Sequence, residues 1–322
     1  MRADGRSGKV QVLLAAYKPD WKYFEKQLAS LNAQTVSGME VLVHDDGALT
    51  NPIDQKKVKK LLKDKTVRFL PATEQLGVTK AFERLINESD GDYLAFCDQD
   101  DIWLPDKLEK SIKQLDEYDL ACTDQSIIDG NGSQIVSSMW RTSDDPAYSW
   151  HSGDDITVQN LVRTYCVGMA MTGKGDFIRE CMPIPEGSSH DQWVLACAAR
   201  NQMVALIEEP LVKYRRYGNN VSRTLKGIHT KDDYRAQRIK PACDTIDAFI
   251  ERFPDYENNA ILVEIADARR HGRISALWKY RHLGGLFLFE IGFRLCPEIL
   301  FPAMIKTAQK NGRYRNVEAA QK

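Results

Sequence analysis

The sequence predicts an α/β fold with a Rossmann-like, mostly parallel central sheet flanked by helices, followed by a helical C-terminal extension. Two observations carry this prediction. Four short apolar segments alternate with helical segments in the first third of the chain, which is the pattern of successive βαβ units. From Asp232 onward the pattern is helical throughout. We therefore expect an α/β domain over residues 1–225 and a helical region over residues 226–322.

The elements of the first half follow from the spacing of the apolar residues. Each strand is expected as a short apolar run closed by polar or turn residues, at 10–16, 39–44, 67–70 and 93–97. Helices are expected between these strands, because apolar residues recur there at helical spacing, at 21–33, 53–63 and 77–86. The carboxyl ends of such strands are where open α/β sheets bind ligands.

The second half alternates less regularly. Strands are expected there at 120–124, 133–136, 165–171, 204–207 and 211–214. Helices are expected at 105–117, at 190–199, and then at 232–252, at 258–271 and from 274 onward. Residues 137–155 lack any period, and a loop of that length in a compact domain is usually functional.

Composition and charge argue against a nucleic-acid-binding, disulfide-rich or secreted protein. Charged residues make up 28% of the chain and its net charge is −1, so a nucleic-acid partner that needs a broad cationic face is not expected. The seven cysteines are odd in number, widely spaced and without a CxxC pair, which predicts reduced thiols. The polar N-terminus predicts no signal peptide, and we expect a cytoplasmic protein.

The stretch from Tyr93 to Trp103 carries the strongest chemical signal. An apolar strand ends there in Asp98, Asp100 and Asp101. Carboxylates so close together raise one another's pKa unless a cation lies among them, and oxygen ligands suit Mg²⁺ or Mn²⁺. The alternative is an acidic loop, with Asp101 as a helix cap or loop support. We predict a metal site at Asp98 and Asp100.

Two further acidic positions lie at expected element ends. Asp45 and Asp46 follow the second strand, and Asp191 begins a helix. A nucleoside diphosphate would explain the first pair, because Asp46 could accept the N–H of a pyrimidine base while a metal at the Asp98 strand end bridges the phosphates. The alternatives are a plain turn at Asp45-Asp46-Gly47 and a helix cap at Asp191.

Six motifs follow one another along the chain. They are Ala16-Tyr17-Lys18-Pro19, Asp45-Asp46-Gly47, Gly77 with Ala81, Asp98-Gln99-Asp100-Asp101-Ile102-Trp103, His190-Asp191-Gln192-Trp193, and residues 214–222. In this order and spacing they resemble glycosyltransferase family 2, the inverting nucleotide-sugar transferases of the GT-A fold. The motif at 98–103 especially resembles bacterial rhamnosyltransferases of cell-wall, capsule and O-antigen polysaccharide synthesis. The resemblance covers about residues 10–222.

The resemblance implies a role for each matching residue. Asp191 would be the catalytic base, and Asp98 and Asp100 would hold Mn²⁺ or Mg²⁺. The residues implied in nucleotide and donor binding are Ala16, Tyr17, Pro19, Asp45, Asp46, Gly77, Lys80, Asp98, Gln99, Arg215, Asn219 and Ser222. The residues implied in the acceptor region are Trp103, Gly168, Met169, His190 and Trp193. Core packing is the alternative for both tryptophans. Relatives often carry His where Tyr217 stands, so the metal site departs from the family pattern.

The implied function is inverting transfer of L-rhamnose from dTDP-β-L-rhamnose to a saccharide acceptor, which we expect to be lipid-linked. Transfer from UDP-galactose or a UDP-hexosamine is one alternative, and a non-catalytic nucleotide-sugar-binding subunit is another. Gly168 to Lys174 also matches the phosphate-binding pattern G-x-x-x-x-G-K, but Gly175 replaces the Ser or Thr that holds Mg²⁺. No G-x-G-x-x-G motif follows the first expected strand, which argues against a dehydrogenase.

The C-terminal extension contains an apolar segment over residues 286–305 that follows several basic residues. Glu290, Arg294 and Glu298 interrupt it, and each charge would cost about 2.5–3.5 kcal/mol at the bilayer centre. A helix lying on the membrane surface therefore fits better than a spanning one, and would make the protein peripheral on the inner face of the plasma membrane. The alternative is a helical pair packed on the main domain or in a homodimer.

Overall fold

The computed structural model describes residues 8–141, 149–217, 225 and 227–310. The strands are β1 Val10–Ala16, β2 Glu40–Asp45, β3 Thr66–Phe69, β4 Tyr93–Cys97, β5 Ile102–Trp103, β6 Leu120–Ile128, β7 Gln134–Val136, β8 Met171–Lys174 and β9 Val204–Arg215. The helices before residue 225 are α1 Trp21–Asn32, α2 Gln55–Leu61, α3 Val78–Asn87, α4 Lys107–Gln114, α5 Thr157–Val162, α6 Gly175–Glu180 and α7 His190–Ala199. The C-terminal helices are α8 Lys231–Tyr234, α9 Lys240–Arg252, α10 Asn259–His271, α11 Ile274–Lys279, α12 Gly285–Leu295 and α13 Phe301–Lys310.

The strands form one sheet in the order β3-β2-β1-β4-β8-β6-β9-β5, with β7 paired to β6. Strands β1 to β4 pair in parallel, as the sequence predicts for the first half. Strand β8 runs antiparallel to β4 and β6, whereas β6 and β9 are parallel. The predicted α/β fold with flanking helices is confirmed, with a sheet that is parallel in its first half and mixed in its second.

Two predictions for the second half are wrong. Residues 165–171 do not form a strand, because Gly168–Ala170 is a 3₁₀ turn and the strand begins at Met171. The overlapping segment from Gly168 to Lys174 is also not a phosphate-binding loop, which the sequence analysis had already disfavoured, because the Lys174 side chain donates to Asp119 at 2.9 Å. The two strands predicted at 204–207 and 211–214 are one continuous strand, β9, whose register against β6 shifts next to Asp124.

Hydrophobic clusters cover both faces of the sheet. Successive residues of a strand point to opposite faces, and Leu13 belongs to one cluster while Leu14 belongs to the other. Helices α1, α2 and α4 complete the cluster of Leu14. Helices α3 and α7 share the cluster of Leu13 with the C-terminal helices, where Trp193 meets Phe249 edge-on at 6.2 Å between ring centroids. The C-terminal helices therefore share a core with the sheet, while the division at residue 225 stays a prediction.

The C-terminal region also contains a buried ion pair. Arg269 of α10 and Glu290 of α12 are both buried, and the Arg269 Nη2 donates to Glu290 Oε1 at 2.8 Å. Within the described ranges, no helix combines the length and the apolarity that crossing a bilayer requires. All seven cysteines are described as free thiols, and six of them are buried.

Candidate active site

Three strand ends bring the predicted motifs to one edge of the sheet. Strand β1 lies between β2 and β4, and the last residue of β1, Ala16, pairs with Asp45 at the end of β2. The loops that follow are tied together by hydrogen bonds. The Gln99 amide accepts the Tyr17 N–H at 2.7 Å and donates to the Tyr17 carbonyl at 3.3 Å. Gln99 therefore fixes the backbone of Tyr17, whose side chain is exposed.

The two carboxylates after β2 hold neighbouring loops. Asp45 accepts the backbone N–H of Ile53 at 2.8 Å. Asp46 accepts the N–H groups of Leu76 and Gly77 at 2.6 and 2.9 Å and thereby fixes the start of α3. A carboxylate has about four acceptor positions, so Asp46 can accept a further donor. These bonds give both residues a positioning role that the sequence does not reveal.

The loop after β4 concentrates negative charge in a buried place. Burial, Asp100 and Asp191 together raise the pKa of Asp98 to about 7. Burial also raises the pKa of Asp100, although Tyr217 and Arg215 oppose this shift. The pKa of Asp101 lies well above its usual range because of burial and the two other carboxylates of the loop. The structure thus brings Asp191 close to the predicted metal ligands.

Arg215 lies beneath this acidic loop and is fully buried. Its Nε donates to the Asp100 carbonyl at 2.8 Å, and its Nη1 donates to the Asp129 carbonyl at 3.1 Å. Its backbone N–H donates to Asp101 Oδ1 at 2.8 Å, which identifies Asp101 as a loop support. The expectation that Arg215 contacts the donor diphosphate is therefore corrected, because its guanidinium is directed to backbone carbonyls inside the protein.

Tyr217 lies directly beside the acidic loop. Its hydroxyl donates to Asp100 Oδ2 at 2.7 Å, and its ring lies 4.7 Å from the ring of Tyr23. Burial and the Asp100 carboxylate raise the pKa of Tyr217, so its hydroxyl stays protonated as a donor. Asn219 and Ser222, which the resemblance implies in donor binding, lie outside the described residues.

Asp191 lies in the first turn of α7, where its Oδ1 accepts the N–H of Gln192 at 2.8 Å. A pair of amides fixes this turn against α5. The Asn160 Nδ2 donates to the Gln192 carbonyl at 2.8 Å, and the Gln192 Nε2 donates to the Asn160 carbonyl at 2.9 Å. The position of Asp191 is therefore set by two helices that lie far apart in the sequence.

His190 precedes Asp191 and is buried against aromatic rings. Its ring stacks on Phe82 with 3.9 Å between centroids. Burial lowers the pKa of His190, although Asp191 opposes this shift. A Cβ atom on Gly168 would lie 2.4 Å from His190 Nε2, so the chain approaches the imidazole at a place where only glycine fits. Gly168 and His190 therefore act as packing partners next to Asp191.

Three other residues of the predicted acceptor region are buried. Trp193 donates its Nε1–H to the Cys181 carbonyl at 2.8 Å, and Trp103 lies beneath the Lys107 ammonium at 3.9 Å from its ring centre. Met169 is also buried. The expected acceptor contacts of these three residues are corrected to core packing, the alternative that the sequence allowed for the tryptophans.

Two lysines near the site differ from the sequence-based expectation. Lys80, implied in donor binding, pairs with Glu83 at 3.0 Å and remains half-exposed. Lys107, which the sequence analysis did not single out, is fully buried, and its Nζ donates to Thr172 Oγ1 at 3.2 Å. The burial of Lys107 could have been predicted from helical spacing, because Lys107 lies four residues before the buried Ser111 on the inward face of α4.

The acidic loop fits a divalent cation in chemistry and in charge. Asp98 and Asp100 offer carboxylate oxygens, and their raised pKa values reflect a negative charge that a cation would relieve. Among the described residues, no group of three His, Cys, Asp or Glu side chains is arranged to hold a metal ion. Asp98 and Asp100 are the described carboxylates of this loop that could hold such an ion.

Open α/β sheets bind ligands beyond the carboxyl ends of their strands, and in this protein that edge is rich in carboxylates. The model of Glycosyl transferase family 2 matches residues 11–178, which is more than half of the chain. This protein belongs to glycosyltransferase family 2. The sequence is similar to an uncharacterised glycosyltransferase of Methanocaldococcus jannaschii, at 26% identity over 64% of this chain and 70% of the relative.

A shorter match is with a dTDP-rhamnosyl transferase of Shigella flexneri, at 30% identity over 33% of this chain and 38% of the relative. Two solved structures share the fold at 15% identity. TarS 1–349 of S. aureus in complex with UDP-GlcNAc aligns with a TM-score of 0.55 over 95% of this chain and 93% of its own. The mannosyltransferase PcManGT of Pyrobaculum calidifontis, with GDP-Man and Mn²⁺, aligns with a TM-score of 0.54 over 95% and 88%. The predicted GT-A architecture is confirmed.

Proposed function

We propose that this enzyme is an inverting transferase that moves L-rhamnose from dTDP-β-L-rhamnose to a lipid-linked saccharide acceptor in bacterial surface polysaccharide synthesis. The observation that carries the catalytic part is the convergence of Asp98, Asp100 and Asp191 at one sheet edge. The Shigella relative and the motif at 98–103 support rhamnose as the donor sugar. UDP-galactose or a UDP-hexosamine is the alternative donor, since the solved TarS neighbour holds UDP-GlcNAc.

The donor base would lie over the ends of β1 and β2. The exposed ring of Tyr17, whose backbone is fixed by Gln99, offers a surface for stacking. Asp46 keeps acceptor capacity for a base N–H, and Ala16 and Pro19 shape the pocket through their backbone. Nucleotide binding would therefore use a rim that the hydrogen bonds of the protein already hold in place.

Asp191 would act as the general base. It would take the proton of the acceptor hydroxyl while that oxygen forms a bond to the anomeric carbon, on the face opposite the diphosphate. The bond between the anomeric carbon and the phosphate oxygen breaks, and the nucleoside diphosphate leaves with the bonding electron pair. A positioned base contributes about 10²–10⁴-fold to the rate. The amides of α5 and α7 would keep Asp191 in position for this transfer.

Asp98 and Asp100 would hold Mn²⁺ or Mg²⁺. A divalent cation bound there would neutralise the charge that develops on the departing diphosphate. Tyr217 and Arg215 would serve this site indirectly, because Tyr217 orients the Asp100 carboxylate and Arg215 fixes the backbone of the same loop. The presence of Asp191 beside these residues favours catalysis over a non-catalytic nucleotide-sugar-binding subunit.

Replacing Asp191 by Asn tests the catalytic role. We expect sugar transfer to fall by about 10²–10⁴-fold, with the affinity for the nucleoside diphosphate unchanged, because the amide cannot take the proton. Asp176→Asn is a matched control, since Asp176 lies in the first turn of α6 and is almost fully exposed. A variant at Asp191 that turns over as fast as the wild type would exclude this residue as the base.

A thermal-shift comparison of dTDP, UDP and GDP, with and without Mn²⁺, tests the donor and the metal together. We expect dTDP with Mn²⁺ to stabilise the protein most, and Asp100→Ala to remove the Mn²⁺-dependent part. A stronger response to UDP would favour the alternative donors. Unchanged calorimetric affinity for dTDP and Mn²⁺ in Asp100→Ala would argue against metal binding at this residue.

A further inference from the structure

We propose that the outer face of the last helices docks on the surface of an anionic phospholipid bilayer. We call this face the C-terminal apolar surface, and it consists of Trp278, Leu288, Leu295, Ile299 and Leu300. Leu288 and Leu295 lie seven residues apart on one stripe of α12 and are 50% and 67% exposed. Ile299 is 87% exposed, and Leu300 and Trp278 are each more than half exposed. The proposal deepens the proposed function, since it names where the enzyme would meet a lipid-linked acceptor.

Two of the three charges that interrupt the apolar segment in the sequence, Glu290 and Arg294, point into the protein, whereas Glu298 is exposed. Glu290 is fully buried and accepts three N–H contacts from Arg269, at 2.8, 3.1 and 3.2 Å. The Arg294 guanidinium donates to the Arg269 carbonyl. Both interruptions of α12 are therefore satisfied on its inner side, and the outer stripe of this helix is apolar.

The chain around this surface is basic, which complements an anionic lipid headgroup. Residues 271–310 contain six Lys or Arg against two Glu, whereas the whole chain has a net charge of −1. The Arg281 guanidinium lies 4.4 Å from the centre of the exposed Trp278 ring. Arg273 and Lys279 of the same segment pair with the α10 carboxylates of Asp267 and Glu264 at 2.9 and 2.6 Å. Exposed apolar residues among cations are the features with which a peripheral helix binds anionic membranes.

Charge also favours a bilayer over a second copy of this chain. A two-fold symmetric interface would place this basic surface against itself, because both partners use the same patch in such a dimer. Like charges then face one another and oppose association. An anionic bilayer instead attracts the cations and accepts the apolar side chains at the same time.

Vesicle co-sedimentation of the full chain tests the proposal. We expect binding to vesicles of phosphatidylglycerol and phosphatidylcholine, and much weaker binding to phosphatidylcholine alone. The double variant Leu295→Glu with Ile299→Glu should bind the mixed vesicles about 10- to 100-fold more weakly. Leu49→Glu is the matched control, because Leu49 is 62% exposed but lies between β2 and α2. Arg281→Glu should weaken binding by a smaller factor that disappears at high salt.

Leu295→Trp provides a variant with the opposite expected sign, since a larger apolar side chain should strengthen vesicle binding. Equal binding of the wild type and the double variant would overturn the proposal, as would no binding to either vesicle. A dimer detected by light scattering that the double variant dissolves would assign the surface to a second copy. Nucleotide affinity should be unchanged in the double variant. A wild type that binds vesicles but no nucleotide would refute the proposed function and leave this inference standing.

Discussion

Two groups of charges in this protein, one buried and one partly buried, are built in opposite ways. In the C-terminal region, Arg269 and Glu290 balance each other through three contacts, and burial of the pair leaves no excess charge. At the sheet edge, the carboxylates of Asp98 and Asp100 lie together, and the guanidinium of the nearby Arg215 is directed to backbone carbonyls. The charges of the first group balance each other, whereas in the second group, within the part of the chain that the structure describes, the raised pKa values of Asp98 and Asp100 reflect an excess of negative charge.

A structural charge and a functional charge differ in whether the folded protein itself compensates them. A buried ion pair that is complete resists change, since removing either partner leaves an unpaired charge in the core. Carboxylates that raise one another's pKa lower the stability of the folded state, so their presence indicates a ligand that compensates when it binds. The acidic loop fits this second description, and the C-terminal pair fits the first.

The largest expected effect on stability comes from removing one partner of the Arg269–Glu290 ion pair. Arg269→Met should lower the free energy of unfolding by about 3–5 kcal/mol, because Glu290 then remains buried without its cation. Urea unfolding measures the change. Adding Glu290→Leu to the same chain should recover most of the loss, since both charges are then absent. Arg270→Met is the control, because Arg270 is partly exposed and pairs with Asp247 at the surface, where an ion pair contributes about 0–1 kcal/mol.

A loss of less than about 1 kcal/mol in Arg269→Met would contradict the classification of this pair as structural. The folded fraction of the variant should still bind the nucleoside diphosphate with the affinity of the wild type. A specific loss of nucleotide binding without loss of stability would connect the C-terminal pair to the site instead.

Lys107 is a third kind of buried charge, a cation without a carboxylate partner among its described contacts. It faces the thiols of Cys97, Cys122 and Cys166 and the Thr172 hydroxyl, and burial lowers its pKa to about 7. The unfolded chain binds a proton at this residue up to about pH 10.4. The free energy of unfolding should therefore rise as the pH increases from 7 toward 10, and the full penalty should apply below pH 7.

Lys107→Met removes this penalty. We expect about 2–4 kcal/mol more stability than the wild type at pH 7 and a smaller difference at pH 10, measured by urea unfolding at both values. Lys113→Met is the control on the exposed face of the same helix and should change stability by less than about 0.5 kcal/mol. Equal stability of Lys107→Met and wild type at both pH values would show that the buried ammonium is compensated.

The smallest expected effect on stability is at Asp98 in the acidic loop. Its sign is opposite to that of Arg269→Met. The pKa of Asp98 is about 7 in the folded protein, above its usual value of 3.8. The folded state therefore binds the extra proton between about pH 4 and 7, and its stability falls as the pH rises through this window. Asp98→Asn should abolish this fall and add about 1–3 kcal/mol above pH 7, with a chelator present. Nucleotide binding with Mn²⁺ should weaken in the same variant.

Thermal unfolding at pH 5 and pH 8 measures the gain from Asp98→Asn. The exposed Asp116→Asn serves as the control and should change stability by less than about 0.5 kcal/mol at either pH. If Asp98→Asn were less stable than the wild type at pH 8, the carboxylates would be compensated inside the protein. The contrast with the C-terminal pair would then disappear.

The local sequence pattern was enough to predict the bounds of elements that bury one continuous apolar run. Strand β1 and helix α7 follow the predicted bounds, because apolar spacing is a local property of the chain. Residues 165–171 are as apolar as a strand, but they turn at Gly168, where the His190 ring occupies the neighbouring space. That ring comes from a helix more than twenty residues further along the chain, so no local pattern could reveal the turn.

The βαβ alternation, the acidic strand ends and the family could be predicted from the amino-acid sequence, because they depend on residue type and spacing. The partners of the buried side chains became known from the tertiary structure. Arg215 turned out to support the acidic loop, Trp193 to pack in the core, and Glu290 to lie opposite Arg269. The physical reason is that burial and Coulomb interactions depend on distance in space, and the chain brings these partners together from positions far apart in the sequence.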